Sequence, residues 1–313
     1  AISFYLFRSR GLEVPYERIC IFSGAQSALD LLSRMLIDKG DDAYVENPGY
    51  PEARRLFLAY GACLNALPVD GEGLVTNALP EQAEDARLIY LTPAHHDPTG
   101  VVLSDARRSA LLDWAKRHDV WIIEDDFDSD IRYGEKPSSC LVGIDKDQSV
   151  IYLSSFWKVL FPVLCLGFLV VPQRLVPVLS RAKGLTDRYL HNVEHEALAD
   201  FIAEGHLEKH VRRLRTIYAR RRRSVIELVN KGLAGKALIS PVSAGTHLLL
   251  HFKTEMSQAA ILDCAQKSGF PMVSTSSYYF ENPVENEVLV PFAHLDEIEM
   301  AKRFEKFLSL CVW

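Results

Sequence analysis

The 313-residue chain contains no CxxC pair. Its six cysteines, Cys20, Cys63, Cys140, Cys165, Cys264 and Cys311, are widely scattered, and several lie in apolar runs. This spacing argues against a zinc site or a disulfide framework and for reduced thiols in a cytoplasmic protein. No apolar run approaches the length of a membrane helix, and no signal-peptide pattern is present. A basic surplus is lacking too: the net charge is -6, so the chain as a whole offers nucleic acid no basic surface. His95 and His96 are neighbours, but no third ligand has suitable spacing, so a metal site is not expected. What remains is an ordinary globular composition, 48% hydrophobic and 24% charged, long enough for one large or two ordinary domains.

What the sequence does have is alternation. Strand-like runs at 18–22, 41–46, 62–67, 87–91, 120–125 and 149–153 are interleaved with helical patterns at 29–36, 54–60 and 104–118. That order predicts an α/β fold, a mainly parallel sheet with helices on both faces. The run 166–171 is one more strand, and its short connection allows an antiparallel return. Residues 1–10 read as a helix stopped by Gly11. A chain that opens inside a helix suggests a fragment of a longer protein. Helical patterns follow over 182–205 and 207–229, the second rich in arginine (Arg212, Arg213, Arg215 and Arg220 to Arg223). We read these as solvated charges on a long bridging helix rather than a DNA surface. From residue 238 onward, strands at 245–252, 272–275 and 288–291 and helices at 258–268 and 296–310 describe a compact α+β unit.

Two stretches carry chemistry. The strand 149–153 runs into Ser154-Ser155-Phe156-Trp157-Lys158. A lysine just past a strand end sits where α/β sheets bind ligands, and partial desolvation there would make it nucleophilic. A surface lysine on a loop is the competing reading. The strand 120–125 ends in Glu124-Asp125-Asp126-Phe127-Asp128. Pyridoxal phosphate needs both parts, a lysine for its aldehyde and a carboxylate for its ring nitrogen. Ser23-Gly24-Ala25-Gln26, between a strand and a helix, has the form of a phosphate cradle or of an ordinary tight turn. Tyr50, in a turn at a strand end, either stacks on a flat ring or closes the core.

In this order the motifs resemble fold-type I pyridoxal-phosphate proteins, the aspartate aminotransferase superfamily. More narrowly, the chain is similar to the aminotransferase-like domain of MocR/GabR-type transcription regulators of the GntR family. The residues that carry this likeness are Ser23-Gly24-Ala25-Gln26, Asn47-Pro48-Gly49-Tyr50-Pro51, Thr92-Pro93-Ala94-His95-His96-Asp97-Pro98-Thr99-Gly100, Glu124-Asp125-Asp126-Phe127-Asp128-Ser129 and Ser155-Phe156-Trp157-Lys158-Val159-Leu160-Phe161-Pro162. The resemblance implies a large cofactor-binding domain over 12–208, and a small domain over 1–11 and 209–313 with the bridging helix at about 207–229. It implies pyridoxal 5'-phosphate bound as an internal aldimine on Lys158, with Asp125 on the ring nitrogen and Tyr50 stacked on the ring. Gly24, Ala25 and Gln26 would meet the phosphate, joined by the Ser155 hydroxyl. It also implies a homodimer, a small amine or amino-acid effector, and DNA contact through a separate winged helix-turn-helix domain.

Five positions depart from the family pattern. Cys165 stands where an arginine would grip the phosphate, and Trp157 where a small residue precedes the lysine. Phe127 replaces the tyrosine that would reach the phenolic oxygen, Asp97 replaces an asparagine, and Glu287 stands near the place of a substrate-binding arginine. Three readings stay open: an effector-sensing and dimerisation domain, a working aminotransferase in which Lys158 and Asp125 are catalytic, and a degenerate domain that binds little or no cofactor.

Overall fold

The computed structural model describes residues 1–133, 139–186, 192–240 and 244–313. Eight strands form the large sheet: β1 (Ile19–Phe22), β2 (Asp42–Asn47), β3 (Cys63–Asp70), β4 (Gly73–Leu74), β5 (Ala86–Leu91), β6 (Trp121–Asp126), β7 (Val150–Ser155) and β8 (Gly167–Val170). Their order is β1-β8-β7-β6-β5-β2-β3-β4. The five central strands from β7 to β3 run parallel. As the short connection allowed, β8 returns antiparallel to β7, and β1 is antiparallel to β8.

Central parallel strands are buried on both faces, and their continuous apolar runs follow from that. Alternate residues face opposite ways. Ile123, Ile151 and Leu153 face Leu29 and Leu32 of the helix Ala25–Leu36 and Phe57 of the helix Pro51–Ala59. On the other face, Ile122 and Val150 pack with Leu111 and Trp114 of the helix Asp105–His118. Tyr152, Phe168 and Val170 form a neighbouring cluster with Leu198, Ile202 and Leu207.

Residues 1–11, expected with the smaller domain, lie elsewhere. Ile2, Tyr5 and Leu6 of the helix Ile2–Arg10 join the Tyr152–Phe168 cluster on the large sheet. The apolar side of this helix is covered there, and Gly11 closes it in the left-handed conformation (φ 69°). The helical stretch expected over 182–205 includes the helices Val176–Thr186, which begins earlier, and Asn192–Ala203; residues 187–191 lie outside the described residues.

The helix His206–Gly232 joins two cores. Leu207 and Val211 pack on the large sheet, whereas Val225 and Val229 pack on a second one. That second sheet is antiparallel, with strands β9 (Ala237–Ile239), β10 (His247–Phe252), β11 (Val273–Ser274) and β12 (Glu287–Pro291) in the order β11-β12-β10-β9. Its helices Gln258–Ser268 and Glu297–Leu310 are capped by Ser257 and Asp296, which accept N–H bonds from Ala260 (3.3 Å) and Glu299 (2.8 Å). Among the described residues no helix is long and apolar enough to cross a membrane.

Candidate cofactor-binding site

A cavity of about 570 Å³ lies where β5, β6 and β7 end at their carboxyl side. All nine residues singled out from the sequence line it: Lys158, Asp125, Tyr50, Gly24, Ala25, Gln26, Ser155, Asp97 and Phe127.

Lys158 is delivered by β7. The strand ends at Ser155, buried Phe156 (1% exposed) anchors the next residue, and a one-turn helix, Trp157–Leu160, carries the lysine where a loop was expected. Its Nζ lies 5.5 Å from the centre of the Phe127 ring, a cation–π distance. Trp157 is 40% exposed and meets Phe161 edge-on at 4.5 Å, so this indole borders the cavity without closing it.

Asp125 arrives from β6 and is buried. Its Oδ2 accepts the Tyr90 hydroxyl at 2.6 Å, whereas Oδ1 is buried with no hydrogen-bond partner among the described residues. Burial pushes its pKa up to about 7, against the pull of the Tyr90 hydrogen bond. A buried acceptor left open is costly unless a donor arrives, and a protonated ring nitrogen is such a donor.

The cradle begins earlier than the sequence pattern indicates. The helix starts at Ala25 rather than Leu29, with Gly24 at its N-cap and no side chain capping it. The N–H groups of the first turn therefore face the cavity end with the positive end of the helix dipole. Gly24 has φ 141°, a conformation few other residues adopt. A Cβ on Gly167 would stand 2.7 Å from the Gly24 carbonyl carbon and 2.9 Å from the Ala25 nitrogen. Glycine at 167 thus lets β8 lie directly under the cradle. A Cβ on Gly24 would meet the Cys165 sulfur at 3.0 Å, so the thiol occupies the wall where the resemblance places an arginine.

Tyr50 is half-buried, with its ring 6.4 Å from that of Tyr90 at 29°. Burial raises its pKa to about 12, so it is a neutral aromatic wall. Asp97 is buried and its N–H donates to Thr92 Oγ1 at 3.0 Å. Burial raises its pKa to about 6, although Lys158 pulls it down. His95 and His96 are held in the protein: His95 Nδ1 faces Asp128 at 2.8 Å, and His96 lies between Thr99 Oγ1 (2.7 Å) and the Pro48 carbonyl (3.0 Å).

Glu287, expected near the substrate end, is elsewhere. It is buried in β12, accepts the Tyr279 hydroxyl at 2.9 Å and faces His251 at 3.4 Å. Lining residues given no role from the sequence include Tyr90, Thr92, His247 and Tyr278. Period-two alternation from Leu88 places Tyr90 and Thr92 on one side, a signal that would have found them. His247 and Tyr278 come from the second sheet and its connections, and nothing local in the sequence marks them.

The donor set fits pyridoxal 5'-phosphate: an amine at one point, an open buried carboxylate oxygen at another, an aromatic wall and a helix N-terminus for an anion.

Comparison with known proteins agrees. The family described as aminotransferase class I and II matches residues 1–282. The probable rhizopine catabolism regulatory protein MocR of Rhizobium meliloti is 37% identical over 309 residues, which is 99% of this chain and 62% of that protein. The HTH-type pyridoxine biosynthesis transcriptional regulator PdxR of Corynebacterium glutamicum is 32% identical over 95% of this chain and 63% of its own length. This chain therefore spans less than two thirds of these curated relatives. Among solved structures, the Pyrococcus horikoshii kynurenine aminotransferase superimposes with a TM-score of 0.87 at 26% identity, covering 99% of this chain and 78% of that one. The family implies pyridoxal 5'-phosphate as cofactor, and by the match over residues 1–282 the chain belongs to the aminotransferase class I and II family.

Proposed function

We propose that this chain is the cofactor-binding, effector-sensing and dimerising part of a cytoplasmic transcription regulator of the MocR type. One observation carries the reading. Lys158 and the unpartnered oxygen of Asp125 share a single cavity, in a chain that aligns over 99% of its length with a relative named as a regulatory protein. In this reading DNA is contacted by a separate helix-turn-helix domain, and the effector is a small amine or amino acid.

Each residue has a role set by its place. Lys158 Nζ is the nucleophile for the cofactor aldehyde and the group that holds it covalently. Asp125 Oδ1 would accept from the ring nitrogen and favour its protonated form, a cation that would in turn lower the Asp125 pKa from about 7. The N–H groups of Gly24, Ala25 and Gln26 and the Ser155 hydroxyl take the phosphate. Tyr50 would flank the ring, and Asp97 is part of the same cavity wall. Phe127 adds apolar surface and, lacking a hydroxyl, donates no bond to the phenolic oxygen. Pyridoxal phosphate, when bound, supplies an electron sink for charge next to the amine nitrogen.

Retention of both Lys158 and Asp125 also supports a second reading, a working aminotransferase. Two measurements separate them. In the whole protein, an amine that shifts binding to its own upstream DNA should lose that effect when Lys158→Ala is introduced. An undiminished amine response in Lys158→Ala would contradict the sensing role. Steady multiple-turnover formation of a 2-oxo acid from an amino acid would favour the enzyme. Light scattering should give a dimer.

A further inference from the structure

A second cavity, of about 560 Å³, lies behind the strand that carries Asp125. Neighbours on a strand face opposite ways. Asp125 lines the first cavity, whereas Asp126 is bonded to Arg10, which lines the second. The second cavity is walled by the helix Ile2–Arg10, the turn after β6 and the first turns of the helix His206–Gly232. It holds five arginines against two carboxylates.

The pairing inside it is uneven. Arg10 is taken by Asp126 at 2.8 Å and by Asp130 at 3.6 Å, and the other Asp130 oxygen accepts the Tyr5 hydroxyl at 2.6 Å. Arg8 pairs with Glu208 at 3.2 Å. Arg132, Arg212 and Arg215 have no carboxylate partner among the described residues. Two of them are aimed. Arg132 Nε donates to the Ser129 carbonyl at 2.7 Å, and Arg215 Nε donates to the Asp130 carbonyl at 2.6 Å. Consecutive carbonyls of one turn thus each hold one guanidinium group at the cavity wall and leave the terminal nitrogens of both without acceptors among the described residues. Arg212 is three residues before Arg215 on the same helix face.

We propose that this cavity binds a small organic anion through a carboxylate or phosphate group, held by the free ends of Arg132, Arg212 and Arg215. A planar fork of N–H donors matches the oxygens of either group, and a pinned fork loses less freedom on binding. The volume suits a compact organic molecule. Half-buried Arg132 is disfavoured as a cation by burial and by the like charge of Arg10, which Asp126 and Asp130 offset only in part, and an anion would add to that offset. This site is independent of the role proposed for Lys158.

The test is thermal unfolding of the protein saturated with pyridoxal phosphate, which keeps added phosphate out of the first cavity. Chloride is replaced by inorganic phosphate or by succinate at constant ionic strength. The wild type should show a saturable rise in midpoint with at least one of them, and the better probe tells phosphate from carboxylate. Arg132→Gln with Arg215→Gln should abolish the rise. Arg212 is exposed and its guanidinium makes no hydrogen bond among the described residues, so Arg212→Gln should melt like wild type in chloride and bind the anion about tenfold more weakly. No saturable rise with either anion, or an equal rise in wild type and Arg212→Gln, would overturn the proposal.

Discussion

Asp125 and Asp126 are adjacent on β6, equally buried, and opposite in character. Burial raises both pKa values, but only Asp126 has a cation. Its Oδ2 meets Arg10 at 2.8 Å and Tyr152 at 2.6 Å, and the Arg10 guanidinium holds its pKa below the usual carboxylate range despite burial. Asp125 has a tyrosine on one oxygen and nothing on the other, and its pKa stands at about 7. Depth alone therefore does not mark a functional carboxylate. Each keeps its Oδ1 without a hydrogen-bond partner among the described residues, so the mark is the missing cation: Asp126 has Arg10, and Asp125 faces a cavity where a cationic ring nitrogen would fit.

The largest effect should come from the side that already has its cation. Arg10→Ala leaves Asp126 and Asp130 buried without their cation and should destabilise the fold by about 3–5 kcal/mol. The urea midpoint measures it; a change below about 1 kcal/mol would erase the contrast drawn here. Asp125→Asn should do less to the fold, since Tyr90 can still donate to the amide oxygen. It should weaken pyridoxal phosphate binding by roughly ten- to a hundredfold, the loss of one charge-assisted hydrogen bond worth about 1.5–3 kcal/mol. Equilibrium titration of the cofactor's visible band checks it.

The pH dependence sharpens the same contrast. A carboxyl whose folded pKa is raised to about 7 keeps its proton in the fold after the unfolded chain has lost it. Asp125 therefore makes the cofactor-free protein less stable as pH rises from about 4 to 7, with a slope of up to about 1.4 kcal/mol per pH unit. Asp125→Asn should flatten that decline. Asp126 acts with the opposite sign: its contribution is present above pH about 4 and is lost as pH falls through its lowered folded value. Its removal should flatten the acid limb instead. Denaturation midpoints across pH 3–8 separate the two. The smallest effect should be at an exposed pair. Arg220 and Glu297 lie on the bridging helix and on the last helix, the arginine 67% exposed, and Arg220→Ala should change stability by less than about 1 kcal/mol.

Much of this was legible because the signals in the sequence are local. Apolar runs ending at Asp125 and Ser155 announce parallel strands, and sheets of this kind bind ligands where such strands end. The start of the helix at Ala25 was not legible. Ser23-Gly24-Ala25-Gln26-Ser27 has the composition of a turn, and only the sheet beneath it, with Gly167 against Gly24, fixes the helix there. β9 was missed because three residues against one edge carry no periodicity. The place of residues 1–11 was misjudged for a related reason: which core Tyr5 and Leu6 join depends on Phe156 and Phe168, more than 140 residues away. His247 and Tyr278 reach the cavity from another sheet, so no pattern near Lys158 points to them.

The most direct test is to load the protein with pyridoxal phosphate, reduce it with borohydride and map the modified peptide by mass spectrometry. The cofactor should be found on Lys158 alone, and Asp125→Asn should lower the loading at a fixed cofactor concentration. A protein that takes up no cofactor, or takes it up on another lysine, would contradict the account.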